Sequence, residues 1–236
     1  RTFFRLLVSS FLLTSLLSAQ QAPQPAGRSV TLRLVSFYSE SANAELHAHD
    51  SKNPAKPAGV KTPLKNYLNH EVVDLILLGS ELSFTNASAA PKAEEILGTV
   101  TLPASGSRFL LMFFPAAEKG KFQIMAVEDS LKAFPLGSFR VFNLSRSNIR
   151  LTLEKTNYDF KPGSSQVITD PPVQENMHSA MYAHAQIADQ WQRIGSGLWP
   201  HPGKKRDLEF FFENPQTKQI ELRGFRDISP PEKSAE

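Results

Sequence analysis

The stretch from Met181 to Trp199, MYAHAQIADQWQRIGSGLW, contains the side chains best suited to holding a ligand. Its residue pattern on both sides of Asp189-Gln190 predicts a β-hairpin with a two-residue turn at that pair. Because side chains alternate between the two faces of a strand, one face of this hairpin collects several aromatic and polar groups. The residues of that face are Tyr182, His184, Gln186, Trp191 and Arg193.

This hairpin face is a candidate carbohydrate site. The predicted turn sets His184 and Tyr182 opposite Gly195 and Gly197, so their rings would lie beside flat backbone. Sugar rings stack their apolar C–H faces on aromatic rings, and amide and guanidinium groups donate hydrogen bonds to sugar hydroxyls. Packing of the aromatic residues in a core or an interface is the alternative. The predicted ligand-binding residues are Tyr182, His184, Trp191 and Arg193.

The segment HAHD, which includes His47, His49 and Asp50, is the best candidate metal site. Two histidines separated by one residue lie on the same side of a strand, and the Asp50 carboxylate offers an oxygen ligand. Zinc or copper needs a further ligand, for which His70 is the nearest histidine in the sequence. The alternative is a pair of exposed histidines that lead into a Lys- and Pro-rich loop.

Motifs typical of catalysis are absent from the sequence. It contains no Gly-x-Ser-x-Gly elbow, no His-Glu-x-x-His, no Walker loop and no Ser-x-x-Lys. Carboxylates such as those of Glu94, Glu95 and Asp189 are not paired by any pattern that acid–base catalysis uses. We therefore expect a non-catalytic protein without a cofactor.

The first residues have the pattern of a secretory signal peptide. Arg1 and Arg5 accompany a short apolar run that ends in the small residues Ser18-Ala19. The run from Leu6 to Leu17 is shorter than a stable membrane-crossing helix. We expect a signal peptide at residues 1–19, no transmembrane span after its removal, and a periplasmic or extracellular location. An uncleaved membrane anchor is the alternative.

Charge and cysteine content narrow the classes of partner. The 26 basic residues exceed the 23 acidic residues by three, and Arg1 and Arg5 account for two of that excess. The remaining chain is nearly neutral, so nucleic acid is not an expected partner. The sequence contains no cysteine, so an exported form depends on apolar burial rather than on disulfides.

The chain contains the same predicted hairpin twice. Residues 108–130 (RFLLMFFPAAEKGKFQIMAVEDS) and 206–228 (RDLEFFFENPQTKQIELRGFRDI) align without a gap at an offset of 98. Repetition at this spacing predicts tandem domains that arose by internal duplication. Two more blocks align in the same order, Phe37–Leu46 with Phe142–Leu151 and Ile96–Pro103 with Arg193–Pro200.

The repeat separates the two tryptophans. Trp199 aligns with Leu102, which is also apolar, so we expect Trp199 in the core. Trp191 aligns with Glu94, which predicts an exposed or interface position for Trp191.

Each repeat has the pattern of an all-β domain. Val30–Tyr38, Glu71–Gly79 and Ser138–Leu144 are predicted strands, and no long segment has the helical period. We predict an all-β fold of two tandem β-sandwich domains. The predicted boundaries are 20–28 for a disordered linker, 29–130 for domain 1, 131–137 for a second linker, 138–228 for domain 2 and 229–236 for a disordered tail.

The first strands of the two repeated hairpins differ on one face. In the second, Asp207 and Glu209 alternate with apolar residues, which predicts one buried and one exposed face. In the first, both faces are apolar, which predicts a strand covered on both sides. The set expected in the domain 1 core is Leu110, Met112 and Phe114. The set expected against domain 2, or alternatively a partner, is Phe109, Leu111 and Phe113.

The segment NYDFKPG, Asn157 to Gly163, ends a predicted strand at Pro-Gly. It resembles the turn of immunoglobulin-like and cupredoxin-like β-sandwiches of exported proteins. A blue-copper site needs a Cys thiolate with two histidines, so a chain without cysteine cannot carry it. The resemblance therefore concerns the fold alone.

Together these features predict an exported, non-catalytic envelope or extracellular protein that contacts another protein or the cell surface. The alternative is a carbohydrate-binding module that uses the aromatic face of domain 2, with a polysaccharide as partner. A weak metal-binding protein is the third hypothesis.

Overall fold

The computed structural model describes residues 27–38, 44–50, 52, 58–68 and 71–228. Regular structure in these ranges is β-strand, apart from a short 3₁₀ helix at Ala93–Glu95. The predicted signal peptide and C-terminal tail lie outside the described residues. The first half contains β1 Arg28–Ser36, β2 Ala44–Asp50, β3 Val60–Leu64, β4 Val73–Leu77, β5 Glu81–Thr85, β6 Gly98–Thr101, β7 Arg108–Pro115 and β8 Phe122–Glu128. The second half contains β9 Phe139–Asn143, β10 Ile149–Leu153, β11 Thr156–Phe160, β12 Ser165–Ile168, β13 His178–Ile187, β14 Gln190–Pro200, β15 Arg206–Glu213 and β16 Ile220–Asp227.

The strand order of the first half is repeated in the second. Four-stranded sheets β4-β1-β7-β8 and β3-β2-β5-β6 correspond, strand for strand, to β12-β9-β15-β16 and β11-β10-β13-β14. The parallel pairing of β1 with β7 recurs between β9 and β15. This repetition confirms the predicted fold of two tandem β-sandwiches. We call β4-β1-β7-β8 and β12-β9-β15-β16 the inner sheets, and the other two the outer sheets.

Each sandwich has its own apolar core. Period-two alternation sends every second side chain of a strand to the same face, so Val30, Leu32 and Leu34 of β1 are all buried together. They pack with side chains of β7 and of the first outer sheet. In the second half, Phe139, Val141 and Phe211 pack against the second outer sheet. Burial of these faces is the main stabilising contribution in a chain without disulfides.

The two inner sheets pack face to face and form a third apolar cluster. Phe37 lies at its centre, with ring centroids 5.6 Å from Phe210 and 5.0 Å from Phe212. Phe142 stacks on Phe210 with centroids 4.7 Å apart. Because one face of each inner sheet is buried in its sandwich and the other in this cluster, the halves form four stacked layers.

The prediction that β7 is covered on both sides is confirmed, but the assignment of its two faces is wrong. Leu110 and Met112 lie in the cluster between the halves, whereas the other set lies in the core of the first sandwich. An alternation with two apolar faces does not reveal which sheet covers which face. The set in the core of the first sandwich is Phe109, Leu111 and Phe113.

The same inversion affects β15. Its predicted buried face, which contains Leu208 and Phe210, is turned toward the first half, and the prediction that the opposite face is exposed is wrong. Phe211 is the residue in the core of the second sandwich, and Asp207 and Glu209 lie on its side of the strand. Asp207 is buried there with a bidentate ion pair to Arg226, at 2.9 and 2.7 Å.

A buried quartet of charges also joins the halves. Arg33 bonds Asp129 and Asp227 at 2.8 Å each, and Arg206 bonds the same two carboxylates at 2.6 Å each. Burial by itself raises the pKa of Asp227, but hydrogen bonds and charges from Arg33 and Arg206 hold that pKa below its ordinary value. The two positive and two negative charges balance, which is the condition under which buried charges are tolerated.

Two details differ from the sequence-based expectations. β1 begins at Arg28, within the predicted 20–28 linker, and the Arg28 guanidinium donates hydrogen bonds to the carbonyls of Pro103 and Ser105. The β1 and β9 registers also revise the alignment of the repeats. Val35 pairs with Met112 and Phe142 pairs with Phe210, so Phe142 corresponds to Val35 rather than to Phe37.

Candidate functional site

The predicted ligand face is built by the hairpin of β13 and β14. Its turn is Ala188-Asp189, one residue earlier than expected, and both residues have positive φ, 48° and 63°, as a type I′ turn requires. Near the turn Gln186 pairs with Trp191 and His184 with Arg193. Each of these β13 residues therefore pairs with a β14 residue two positions earlier than expected. A shift by two residues leaves every side chain on the same face of the sheet.

A β-bulge changes the face farther along the hairpin. The register shifts between Ala183 and His184, so Tyr182 lies opposite Ser196 instead of Gly197. Ser196 and Leu198 therefore share the outer face with Tyr182. The prediction that Gly195 and Gly197 lie under the rings is wrong, because an added residue reverses the alternation.

The outer face of the second sandwich carries an exposed row of large side chains. Tyr182 is 41% exposed, Trp191 40% and Leu198 64%. Tyr182 lies four residues along β13 from Gln186, the partner of Trp191, which corresponds to about 13 Å at the rise of an extended strand. The face therefore presents two separated rings rather than one continuous apolar patch.

Arg150 of β10 positions the Trp191 ring. Its guanidinium carbon lies 4.5 Å from the Trp191 ring centroid, within the range of a cation–π contact. Asp159 of β11 accepts two hydrogen bonds from Arg150, at 2.7 and 2.9 Å. The hydrogen bond from Arg150 holds the pKa of Asp159 below its ordinary value, so Asp159 is ionised at neutral pH. Asp159, Arg150 and Trp191 thus form a continuous series of contacts on this face.

Hydrogen-bonding groups surround the two rings. Asn148 donates to Gln186 at 2.9 Å, which orients both amides on the face. Within the part of the chain that the structure describes, neither Arg193 nor His184 forms an ion pair. Their polar atoms are thus available to a ligand that lies across β13 and β14.

The structure brings together the four predicted ligand residues, Tyr182, His184, Trp191 and Arg193, on one face. The residues that sequence reasoning missed are Arg150 and Asp159. Both occupy strands whose alternation is visible in the sequence, but the pairing of β10 with β13 is not, because it joins segments about thirty residues apart. The expected positions of the tryptophans agree with the structure, since Trp199 is 8% exposed and packs on Phe139 with centroids 4.8 Å apart.

The described strands of the first outer sheet form no comparable surface. Its strands β2, β3, β5 and β6 contain no Trp or Tyr. His49 is 7% exposed there, with Nε2 2.9 Å from the Thr85 hydroxyl. Gly59 lies directly over this histidine, so close that a Cβ at that position would come within 2.5 Å of the imidazole.

The candidate metal residues His47, His49 and Asp50 do not converge. The two histidines share one side of β2, as predicted, but the Asp50 carboxylate accepts hydrogen bonds from the backbone amides of Lys52 and Leu78 at 3.0 and 2.6 Å. Among the described residues no group of three or more His, Asp or Glu side chains is placed to hold a metal ion. His70 lies outside those ranges, and metal binding stays a prediction.

No family model and no curated protein matches the chain. Across the described ranges, no helix has the length and apolar character needed to cross a bilayer.

Proposed function

We propose that this chain is an exported, non-catalytic binding protein that contacts carbohydrate of the cell surface or its surroundings. The ligand would lie on the outer sheet of the second half, across β13 and β14. Trp191 and Tyr182 would stack on sugar rings, and Arg193 and His184 would bond their hydroxyl or carboxylate groups. Arg150 would act as a positioning residue for Trp191.

One observation carries this proposal: the exposed Trp191 ring lies against the guanidinium of Arg150, which is itself paired with Asp159. Restricting a side chain before binding reduces the conformational entropy lost on binding. The equivalent position in the first half is Glu94, so the feature belongs to one half alone.

The arrangement favours a carbohydrate over a protein as the ligand of this face. The core of a protein interface is typically contiguous and depleted in charged residues. Along this hairpin, the paired residues His184 and Arg193 lie between Tyr182 and Trp191, so polar side chains separate the two rings. Separated rings with intervening hydrogen-bond donors suit a chain of sugar units.

Export is supported by residues 1–19 alone, which lie outside the described ranges. The test is to fuse these residues to a reporter enzyme that is active only outside the cytoplasm. Reporter activity together with shortening of the fusion to the processed size is the expected result. Activity without shortening would indicate the uncleaved anchor instead.

Isothermal titration calorimetry with neutral and acidic polysaccharides tests the binding face. We expect saturable binding of at least one glycan and at least a tenfold loss of affinity in Trp191→Ala, equivalent to about 1.4 kcal/mol. Trp191→Phe, which keeps a ring, should lose less. Tyr67→Ala is the matched control, because Tyr67 is a 52% exposed aromatic residue of the first half. Equal affinity in Trp191→Ala and Tyr67→Ala would contradict the proposed site.

A further inference from the structure

In the first half, the edge of the outer sheet is closed by the inner sheet. The backbone N–H of Phe122, at the start of β8, donates to the Leu97 carbonyl at 2.7 Å. The Lys121 amine donates to the carbonyls of Glu94 and Ile96 at 3.1 and 2.6 Å. Gly98, the first residue of β6, lies so close to β8 that a Cβ would be 2.8 Å from the Phe122 carbonyl oxygen.

The equivalent edge in the second half is open. Gln219 and Ile220 correspond to Lys121 and Phe122 at the offset of 98, and no hydrogen bond in the described residues joins them to β14. Gly195 corresponds to Gly98, and a Cβ there would meet no atom within 4 Å. A groove of about 600 Å³ occupies the space, lined by Arg193 and Ile194 on one side and by Gln219 and Ile220 on the other.

Within the described residues, the β14 edge presents backbone groups that have no hydrogen-bond partner. The Gln186 N–H donates to the Asn148 carbonyl and the Ala180 carbonyl accepts from the Glu154 N–H, at 2.9 Å each, so both β13 residues point their backbone groups to the β10 side. In an antiparallel ladder a residue uses its N–H and C=O on one side only, so the residues opposite this set point theirs away from β13. Those residues are Trp191, Arg193, Ser196 and Leu198.

This edge has few of the features that prevent strand addition. β14 has eleven residues, and Arg193 is its single charged residue. Natural edge strands are usually short, charged or covered, and long exposed ones are templates for another strand. The bulge and Pro200 at its end limit pairing only at those two points.

The charge of the groove indicates what kind of strand fits. Arg193 and Lys218 form no ion pair within the described residues, and Arg146 has only a 3.9 Å contact with Glu213. Three cations and one carboxylate leave the groove basic. Pairing two copies of β14 would bring like charges together, which is unfavourable between neighbouring strands.

We propose that β14 accepts an extended, acidic segment of a partner protein as an added strand. The segment would pair with the backbone of Trp191, Arg193, Ser196 and Leu198, and its acidic side chains would face the basic groove. This interaction needs the β14 backbone, whereas carbohydrate binding needs the Trp191 side chain. An experiment can therefore contradict one proposal without contradicting the other.

The probe is a labelled ten-residue peptide that alternates glutamate with valine or threonine, followed by fluorescence anisotropy. We expect saturable binding to the full chain, weakened at least tenfold in Ser196→Pro and within twofold of the parent in Ser196→Ala. Proline removes the N–H that points to the open edge and is tolerated on edge strands. Hydrogen exchange should slow at the amides of the four β14 residues when the peptide binds.

Lys218→Glu tests the charge without altering the strand. Lys218 lies in the exposed turn between β15 and β16, so folding should be unaffected, while affinity for the acidic peptide should fall at least tenfold. The same peptide with lysine in place of glutamate should not bind. Three results would overturn the proposal: no saturable binding, equal binding of the two peptides, or a dimer in sedimentation experiments that Ser196→Pro abolishes. The last would make a second copy the occupant.

Discussion

The two halves of the molecule have the same strand order but differ at their outer sheets. The first half has an outer sheet without Trp or Tyr, and hydrogen bonds from Phe122 and Lys121 close its edge. The second has a long hairpin with exposed rings and an open β14 edge. Two sandwiches with the same strand order therefore present different outer surfaces, although the packing of their inner sheets stabilises both.

The largest loss of stability is expected at the buried charged quartet, because residues of both halves take part in it. Arg206→Met leaves Asp129 and Asp227 with one fewer partner in a buried site, which should lower the free energy of unfolding by about 3–5 kcal/mol. Urea denaturation followed by circular dichroism measures the change. We expect one transition, since both halves lose the same contact.

The matched control for the quartet is Lys61→Met. Lys61 pairs with Glu45 at 2.5 Å, but both side chains are more than half exposed, so the unfolding midpoint should not change. Two transitions in Arg206→Met, with only one displaced, would show that the halves unfold independently.

A pH-dependent difference between the halves is expected at Glu209, which corresponds to Leu111. Burial and the Asp207 charge raise the pKa of Glu209 to about 8, against an ordinary value of 4.5, although Arg226 partly lowers it. The folded state therefore holds the proton more tightly than the unfolded state. The contribution of Glu209 to stability is fully present below pH 4.5. It decreases as the pH rises to about 8, by up to about 1.4 kcal/mol per pH unit.

Glu209→Leu and Glu209→Gln remove this titration. Compared with the parent chain, both should gain stability progressively from pH 4.5 to 8, and the gain should level off above that range. Urea denaturation at several pH values provides the comparison. Parallel pH profiles for the parent and both variants would contradict the raised pKa.

A pair of glycine substitutions compares the closed and open edges directly. In Gly98→Ala the new Cβ meets the Phe122 carbonyl at 2.8 Å, so the free energy of unfolding should fall by about 1–3 kcal/mol. In Gly195→Ala nothing lies within 4 Å, and the change should be neutral or stabilising by up to about 1 kcal/mol. Thermal denaturation distinguishes them. Equal destabilisation by both would mean that the second edge is also closed.

The smallest effect is expected at the Lys121 amine. Lys121→Met removes hydrogen bonds to two carbonyls and should lower the free energy of unfolding by about 1 kcal/mol. Gln219→Met is the matched change in the second half and should have no effect. Faster hydrogen exchange at Phe122 in Lys121→Met would locate the loss at the closed edge. Unchanged exchange would indicate that Lys121 does not hold that edge together.

Several parts of the architecture could be predicted from particular residues. The alternation of Leu208, Glu209 and Phe210 identifies a strand, and the matching hairpins identify the repeat. The residues of the candidate face were predicted correctly although the turn was misplaced, because a displacement by two residues preserves the alternation of side chains. The bulge at His184 could not be predicted, since the added residue has no distinct sequence pattern. The position of Arg150 beside Trp191 depends on a pairing between distant strands.

The strand periodicity, the duplication and the contrast between exposed Trp191 and buried Trp199 follow from the amino-acid sequence. These follow from neighbouring residues, or from comparison of one half with the other. The packing of distant strands determines which face of β7 meets the second half, and which charges share a buried site. Arg33 and Asp227 are 194 residues apart, so no local pattern connects them. Backbone geometry sets the alternation of side chains within a strand, whereas the sheets that pack against the strand determine where each face is buried.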